Sequence, residues 1–60
     1  MEKIIKMMME PYGISWEEAH EICCYALDEM EQLGYDPDIC QDIFESQIGL
    51  EVDYLVDFLL

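Results

Sequence analysis

Fifteen aspartates and glutamates stand against two lysines and no arginine, and both lysines, Lys3 and Lys6, fall within the first six residues. From Met7 onward no basic side chain offsets a net charge of -13. Whatever this chain folds into must keep its carboxylates outside and solvated, while the hydrophobic residues, 53% of the total, turn inward. At 60 residues it is a single domain, 1–60, and such a chain buries only about 60% of the surface it exposes when unfolded.

The charge also narrows the function classes. Nucleic acid and anionic membranes both need Lys or Arg to neutralise phosphate, so direct binding to either is not expected. No apolar run approaches the roughly 20 residues of a membrane span, and the start lacks the apolar core and cleavage site of a signal peptide. A soluble, cytoplasmic protein is the expectation. Three cysteines, Cys23, Cys24 and Cys40, are an odd count with two adjacent, which predicts reduced, mostly buried thiols rather than a disulfide framework.

Helix punctuation is dense. Residues 2–9 can form a short helix with Ile4, Ile5 and Met8 on one side, and Pro11 is expected to stop it, with Pro11-Tyr12-Gly13 as a turn. Ser15-Trp16-Glu17-Glu18 is a capping box that should start the next helix. Trp16, Ala19, Cys23, Ala26, Met30 and Leu33 then recur at steps of three and four, broadened by Ile22 and Leu27, until Gly34 fits a left-handed cap. Asp36-Pro37 repeats the start signal for a helix over 37–48, with Ile39, Cys40, Ile43, Phe44 and Ile48 on one face and Asp38, Asp42 and Glu45 opposite. Residues 50–60 alternate like a strand, but a lone strand in a helical chain has no sheet to join, so a helix is expected there. The predicted fold is all-α: a small bundle of three main helices with a short N-terminal helical arm.

At about 100° per residue, Glu17, Glu21, Asp28 and Glu31 gather on one side of the second helix, with Glu18 and Glu29 beside them and Cys24 and Tyr25 among them. A solvated surface is the ordinary reading of such a face. Here the acids lack lysine partners one turn away, and like charges at that spacing repel, so the sequence accepts a stability cost. Stability should accordingly rise with added salt and with modest acidification. The net charge spread over a globule about 27 Å across is close to the linear density of duplex DNA. A cationic groove built for nucleic acid would meet a similar field.

Catalytic and metal sites find little support. His20, Cys23, Cys24 and Cys40 could in principle surround zinc, but the paired C-x2-C knuckles of structural sites are absent. His20-Glu21-Ile22-Cys23-Cys24 lacks the second histidine of a zinc-protease helix, and a calcium loop opening at Asp36 would carry Gln41 and Gln47 where glycine and glutamate are needed. His20 near Cys24 could form a nucleophilic pair, yet 14 carboxylates from Glu10 onward disfavour a thiolate. Neither catalytic residues, metal nor cofactor are expected. Met7, Met8 and Met9 read as gap-fillers, and Tyr12, Tyr25, Tyr54 or Phe58 as aromatics left at the surface.

From about Cys24 to Leu60 the chain resembles a ubiquitin-associated (UBA) domain: a helix ending in Leu33-Gly34-Tyr35, a second with Ile39, Ile43 and Phe44, and a third ending in Phe58-Leu59-Leu60. The family's first loop usually reads Met-Gly-Phe or Met-Gly-Tyr, and its third helix commonly finishes in a leucine pair. Leu33 stands here in place of that methionine. The resemblance implies a three-helix fold and a ubiquitin-facing surface of Leu33, Gly34 and Tyr35 with Leu59 and Leu60.

Together the residues point to a non-enzymatic protein that engages a basic surface, as a nucleic-acid mimic inhibiting a nucleic-acid-binding protein. Glu17, Glu18, Glu21, Asp28, Glu29, Asp38, Asp42 and Glu45 would supply the electrostatics and Tyr25 a central aromatic contact. A UBA-like ubiquitin- or protein-binding module is the alternative. A structural subunit or obligate homodimer is the further one.

Overall fold

The computed structural model describes residues 1–59. Four helices follow one another: α1 (Glu2–Tyr12), α2 (Trp16–Gln32), α3 (Pro37–Ile43) and α4 (Leu55–Leu59), with no strand among the described residues. A wider π turn, Phe44–Ile48, continues α3, and a 3-10 turn, Val52–Tyr54, leads into α4. The assembly measures 30 × 20 × 19 Å, with a radius of gyration of 10.6 Å. None of the described helices is long and apolar enough to cross a membrane.

The all-helical bundle is as expected, and its N-terminal helix is an integral layer of it. Ile4, Ile5 and Met8 are buried on α1, which packs against α2 and α4, while Met7 and Met9 are half-buried. Pro11 does not stop this helix. The chain stays helical to Tyr12 and ends at Gly13, whose left-handed backbone lets its N–H donate to the Met9 carbonyl at 3.0 Å. Proline in the last turn removes one hydrogen bond near an end where carbonyls are already unpaired, so the loss is small. The Tyr12 hydroxyl anchors that turn by donating to the carbonyls of Ile48 (3.2 Å) and Gly49 (3.1 Å).

Ser15 caps α2 by accepting the Glu18 N–H at 3.1 Å, though the return bond from Glu18 to Ser15 is absent among the described residues. Ala19, Cys23, Ala26 and Met30 form its buried stripe. The stripe is shorter than the periodicity predicts: Trp16 and Leu33, at its two ends, are 40% and 49% exposed because the helix overhangs the core there. At the exit Gly34 donates to the Glu31 carbonyl (3.1 Å) and Tyr35 to the Met30 carbonyl (2.9 Å), which is the Schellman arrangement. Tyr35 shares the left-handed conformation with φ 56°, a strain ordinarily left to glycine.

Asp36 opens α3 by accepting the N–H groups of Asp38 (3.0 Å) and Ile39 (3.3 Å), with Pro37 as the first helical residue. After Ile43 the helix widens by one residue per turn, so that the Gly49 N–H donates to the Phe44 carbonyl, five residues back. Phe44 and Ile48 both remain buried. Gly49 then turns with φ 80°, and a β-carbon there would collide with the Tyr12 hydroxyl.

The segment after Gly49 is helical despite its strand-like alternation. Leu55 and Phe58, three residues apart, are buried, and Phe58 packs on Phe44 with ring centroids 5.4 Å apart. Phe58 is thus a core residue, contrary to its expected exposure, because one face of the short α4 points at Phe44. Tyr12 and Tyr25 are exposed and Tyr54 is half-buried.

Candidate functional site

The acidic residues of α2 lie where the periodicity puts them. Glu17, Glu18, Glu21, Asp28 and Glu31 are exposed and Glu29 is half-buried, on the sides of the helix away from the Ala19–Met30 stripe. Four of the residues along one edge of α2, Glu18, Glu21, Ile22 and Tyr25, border an open groove of about 380 Å³. Gln47, from the π turn, closes its opposite wall. The turn is tied to α2 by the Gln47 side-chain amide, which donates to the Glu29 carboxylate.

The groove therefore has an acidic rim, an aliphatic patch and an aromatic wall. Tyr25, 75% exposed, offers a ring face and a hydroxyl to whatever enters. Glu18 and Glu21, three residues apart on a helix, have Cβ atoms roughly 5–6 Å apart, so their carboxylates can reach a forked guanidinium or two cationic groups in a row. Neither lysine lines the groove. The one ion pair among the described residues joins Lys3 Nζ to Asp57 at 3.2 Å, between α1 and α4, where Lys3 also lies 5.8 Å from the centre of the Tyr54 ring.

The other acids expected at the site are distributed differently. Glu17 and Asp28 do not line the groove, and Asp28 accepts from the Gln32 side chain at 3.0 Å. Asp38, Asp42 and Glu45 are exposed on α3 and the π turn, outside the groove, and add only to the general field. Gln47 and Ile22 are the lining residues that sequence reasoning did not select. The period of α2 could have pointed to Ile22, which sits between Glu18 and Tyr25 on the same edge. Nothing local signals Gln47, because its role depends on how α3 folds back on α2.

Electrostatically the helix ends are as one-sided as the faces. The last turn of α2 carries Glu29 and Glu31 and no basic residue, so its carbonyl end, already negative, is left without a compensating charge. The protein thus presents thirteen net negative charges along a 30 Å axis, about one per 2.3 Å, against about one per 1.7 Å of duplex DNA.

The four residues weighed as zinc ligands do not converge. Cys23 and Cys40 are buried whereas Cys24 is exposed and His20 half-buried, and no group of three or more His, Cys, Asp and Glu in metal-holding geometry occurs among the described residues. Burial, with the neighbouring Cys24 adding to it, pushes the Cys23 thiol up to about 11. Leu33 and Tyr35, at the exit of α2, and Leu59 in α4 are about half exposed and lie outside the packed core, while Gly34 faces open space. Leu60, the fifth residue of that expected surface, lies outside the described residues. No family model, no curated protein and no solved structure matches the chain.

Proposed function

We propose that this chain is a non-enzymatic binding protein that engages a basic protein surface and inhibits a nucleic-acid-binding partner by presenting nucleic-acid-like charge. The observation that carries the reading is the groove edge of α2, where Glu18 and Glu21 flank the exposed Tyr25 and, among the described residues, no lysine lines the groove or pairs with either acid. An acidic array without partners costs stability, and a cationic surface would relieve that cost on binding. Lysine or arginine side chains of the partner would pair with the rim carboxylates, and one of them would lie over the Tyr25 ring. Binding of this kind associates fast and weakens steeply with salt.

Its test is capture of partners from source-cell lysate on the immobilised chain at low salt, eluted in turn by duplex DNA and by free ubiquitin, with mass spectrometry of what is released. DNA should release a nucleic-acid-binding protein, and a chain carrying Glu18→Gln, Glu21→Gln and Tyr25→Ala should fail to hold it. Release of nothing by DNA sinks the reading.

A second reading, that of a UBA-like ubiquitin-binding module, is favoured by the exposure of Leu33 (49%), Tyr35 (51%) and Leu59 (43%). Those apolar side chains would dock against ubiquitin with little salt dependence. In the same experiment ubiquitinated species would then leave on free ubiquitin, and Leu33→Ala with Tyr35→Ala would abolish their capture.

A further inference from the structure

The three thiols occupy two environments. Cys23 and Cys40 are 0% and 2% exposed, and the Cys23 thiol, raised as described, holds its proton through the neutral range. Cys24 is exposed and is not alone. Its Sγ lies 3.6 Å from Nε2 and 3.8 Å from Nδ1 of His20, one turn earlier on α2. Both ring nitrogens lie within contact of the sulfur, but a sulfur nearly equidistant from them sits on neither in-plane lone pair. The unprotonated nitrogen of either tautomer therefore accepts the proton only once its lone pair turns toward the thiol.

The imidazole is held in place from its other side. Trp16, one further turn back, stacks on it with ring centroids 4.8 Å apart and planes 10° from parallel. The indole is in turn clipped across to α1, its Nε1–H donating to Glu2 Oε1 at 2.8 Å. Glu2, Trp16, His20 and Cys24 thus form a continuous line that ends at an accessible sulfur. The core has no need of it, since every member but the half-buried His20 is exposed.

We infer that Cys24 is a modification site at which the thiol exchanges with a small disulfide, cationic or uncharged in preference to anionic, with His20 as the proton acceptor. The Cys24 S–H proton passes to the free nitrogen of His20, and the thiolate attacks one sulfur of the incoming disulfide. The disulfide's S–S bond breaks as a new one forms to Cys24, and the departing thiolate takes the proton back from the imidazolium. Cys24 is oxidised to a mixed disulfide, and half of the reagent is reduced to a thiol. Charge selectivity follows from the acids around the site: Glu21 and Asp28 lie within one turn of Cys24, Glu17 within one turn of His20, and the net charge of the chain is -13. Such a field disfavours a free thiolate, which is why the step needs His20 to take the proton, and it concentrates cations at the sulfur while repelling anions. This inference does not depend on the proposed partner.

The reduced chain would be incubated separately with cystamine, hydroxyethyl disulfide and oxidised glutathione, the first cationic, the second neutral and the third anionic, at low and high salt. Intact mass and peptide mapping should find one adduct per native chain, on Cys24. Cystamine should outpace oxidised glutathione at low salt by about tenfold or more, with the gap closing at high salt. Cys24→Ser should remove the adduct. His20→Ala should slow it by about tenfold or more, and added imidazole should restore part of the rate. Since His20 also carries the Trp16 stack, His20→Gln is measured beside it, with helix content checked by circular dichroism. Equal labelling of Cys23 or Cys40 in the native chain would overturn the inference. So would an unchanged rate in a folded His20 variant, or oxidised glutathione matching cystamine at low salt.

Discussion

The two sides of α2 are built from adjacent residues and obey opposite physics. Inside, Ala19, Cys23, Ala26 and Met30 are fully buried, and three of the four are small enough to bring neighbouring helices close. Outside, Glu17, Glu21, Cys24, Tyr25 and Asp28 are exposed, with no cation to temper the acids. Cys23 and Cys24 condense the contrast into one step of the chain: the first is a core residue with its thiol pushed up to about 11, the second a surface thiol beside an imidazole. Because one narrow stripe supplies the packing, the remaining faces of the helix are free to carry an arrangement that stability alone would not select.

The largest effect expected from this contrast lies on the inner side. Met30→Ala removes a fully buried side chain and should cost about 2–5 kcal/mol in urea denaturation, a large share of the total stability of a chain this short. A cost below about 1 kcal/mol would mean that the stripe does not carry the fold. Alkaline unfolding comes next. The folded-state value of Cys23, about 11, lies above its ordinary 9.0, so the folded form keeps a proton that the unfolded form gives up. This contribution is complete below pH 9 and is lost as pH rises from 9 to 11, about 2–3 kcal/mol in all. Melting across that range should fall less steeply in Cys23→Ala than in the parent chain, whereas Cys24→Ser should keep most of the slope.

The outer side gives smaller effects of opposite sign. Raising sodium chloride from low to moderate concentration should stabilise the protein by about 1 kcal/mol, seen as a rise of roughly 4–8 °C in Tm. A flat Tm would show that the outer acids do not strain the fold. Smallest of all, Glu21→Gln should be neutral to stabilising, by roughly 0.2–0.5 kcal/mol, because it relieves like-charge repulsion from Glu17 and Glu18, one turn earlier. A loss of stability there would erase the distinction between the two sides.

Much of this architecture is legible residue by residue. Ser15, Asp36 and Pro37 announce helix starts, and Gly34 and Gly49 announce ends, because caps are local chemistry completed within a few bonds. The inner stripe and the acidic sides of α2 follow from its period. Pro11 misleads because Tyr12, beside it, is held by carbonyls more than thirty residues away. Trp16 and Leu33 mislead because a period cannot tell where a helix outruns the core beneath it. Of the candidate site, Glu18, Glu21 and Tyr25 could be read from one helix, but their gathering around a groove with Gln47 could not.

The sequence by itself determined that this protein is helical, where its longest helix begins and ends, and that its surface is acidic from Met7 onward. These properties depend on spacing, capping and net charge, which act over one turn or over the whole chain regardless of fold. Only the tertiary structure decided that α1 belongs to the core, that Phe58 is buried on Phe44, that Gly49 lies under the Tyr12 hydroxyl, and that one edge of α2 borders a groove. Each of those joins residues far apart in the chain, and such contacts form only when enough apolar surface is buried to offset the entropy of closing the loops between them.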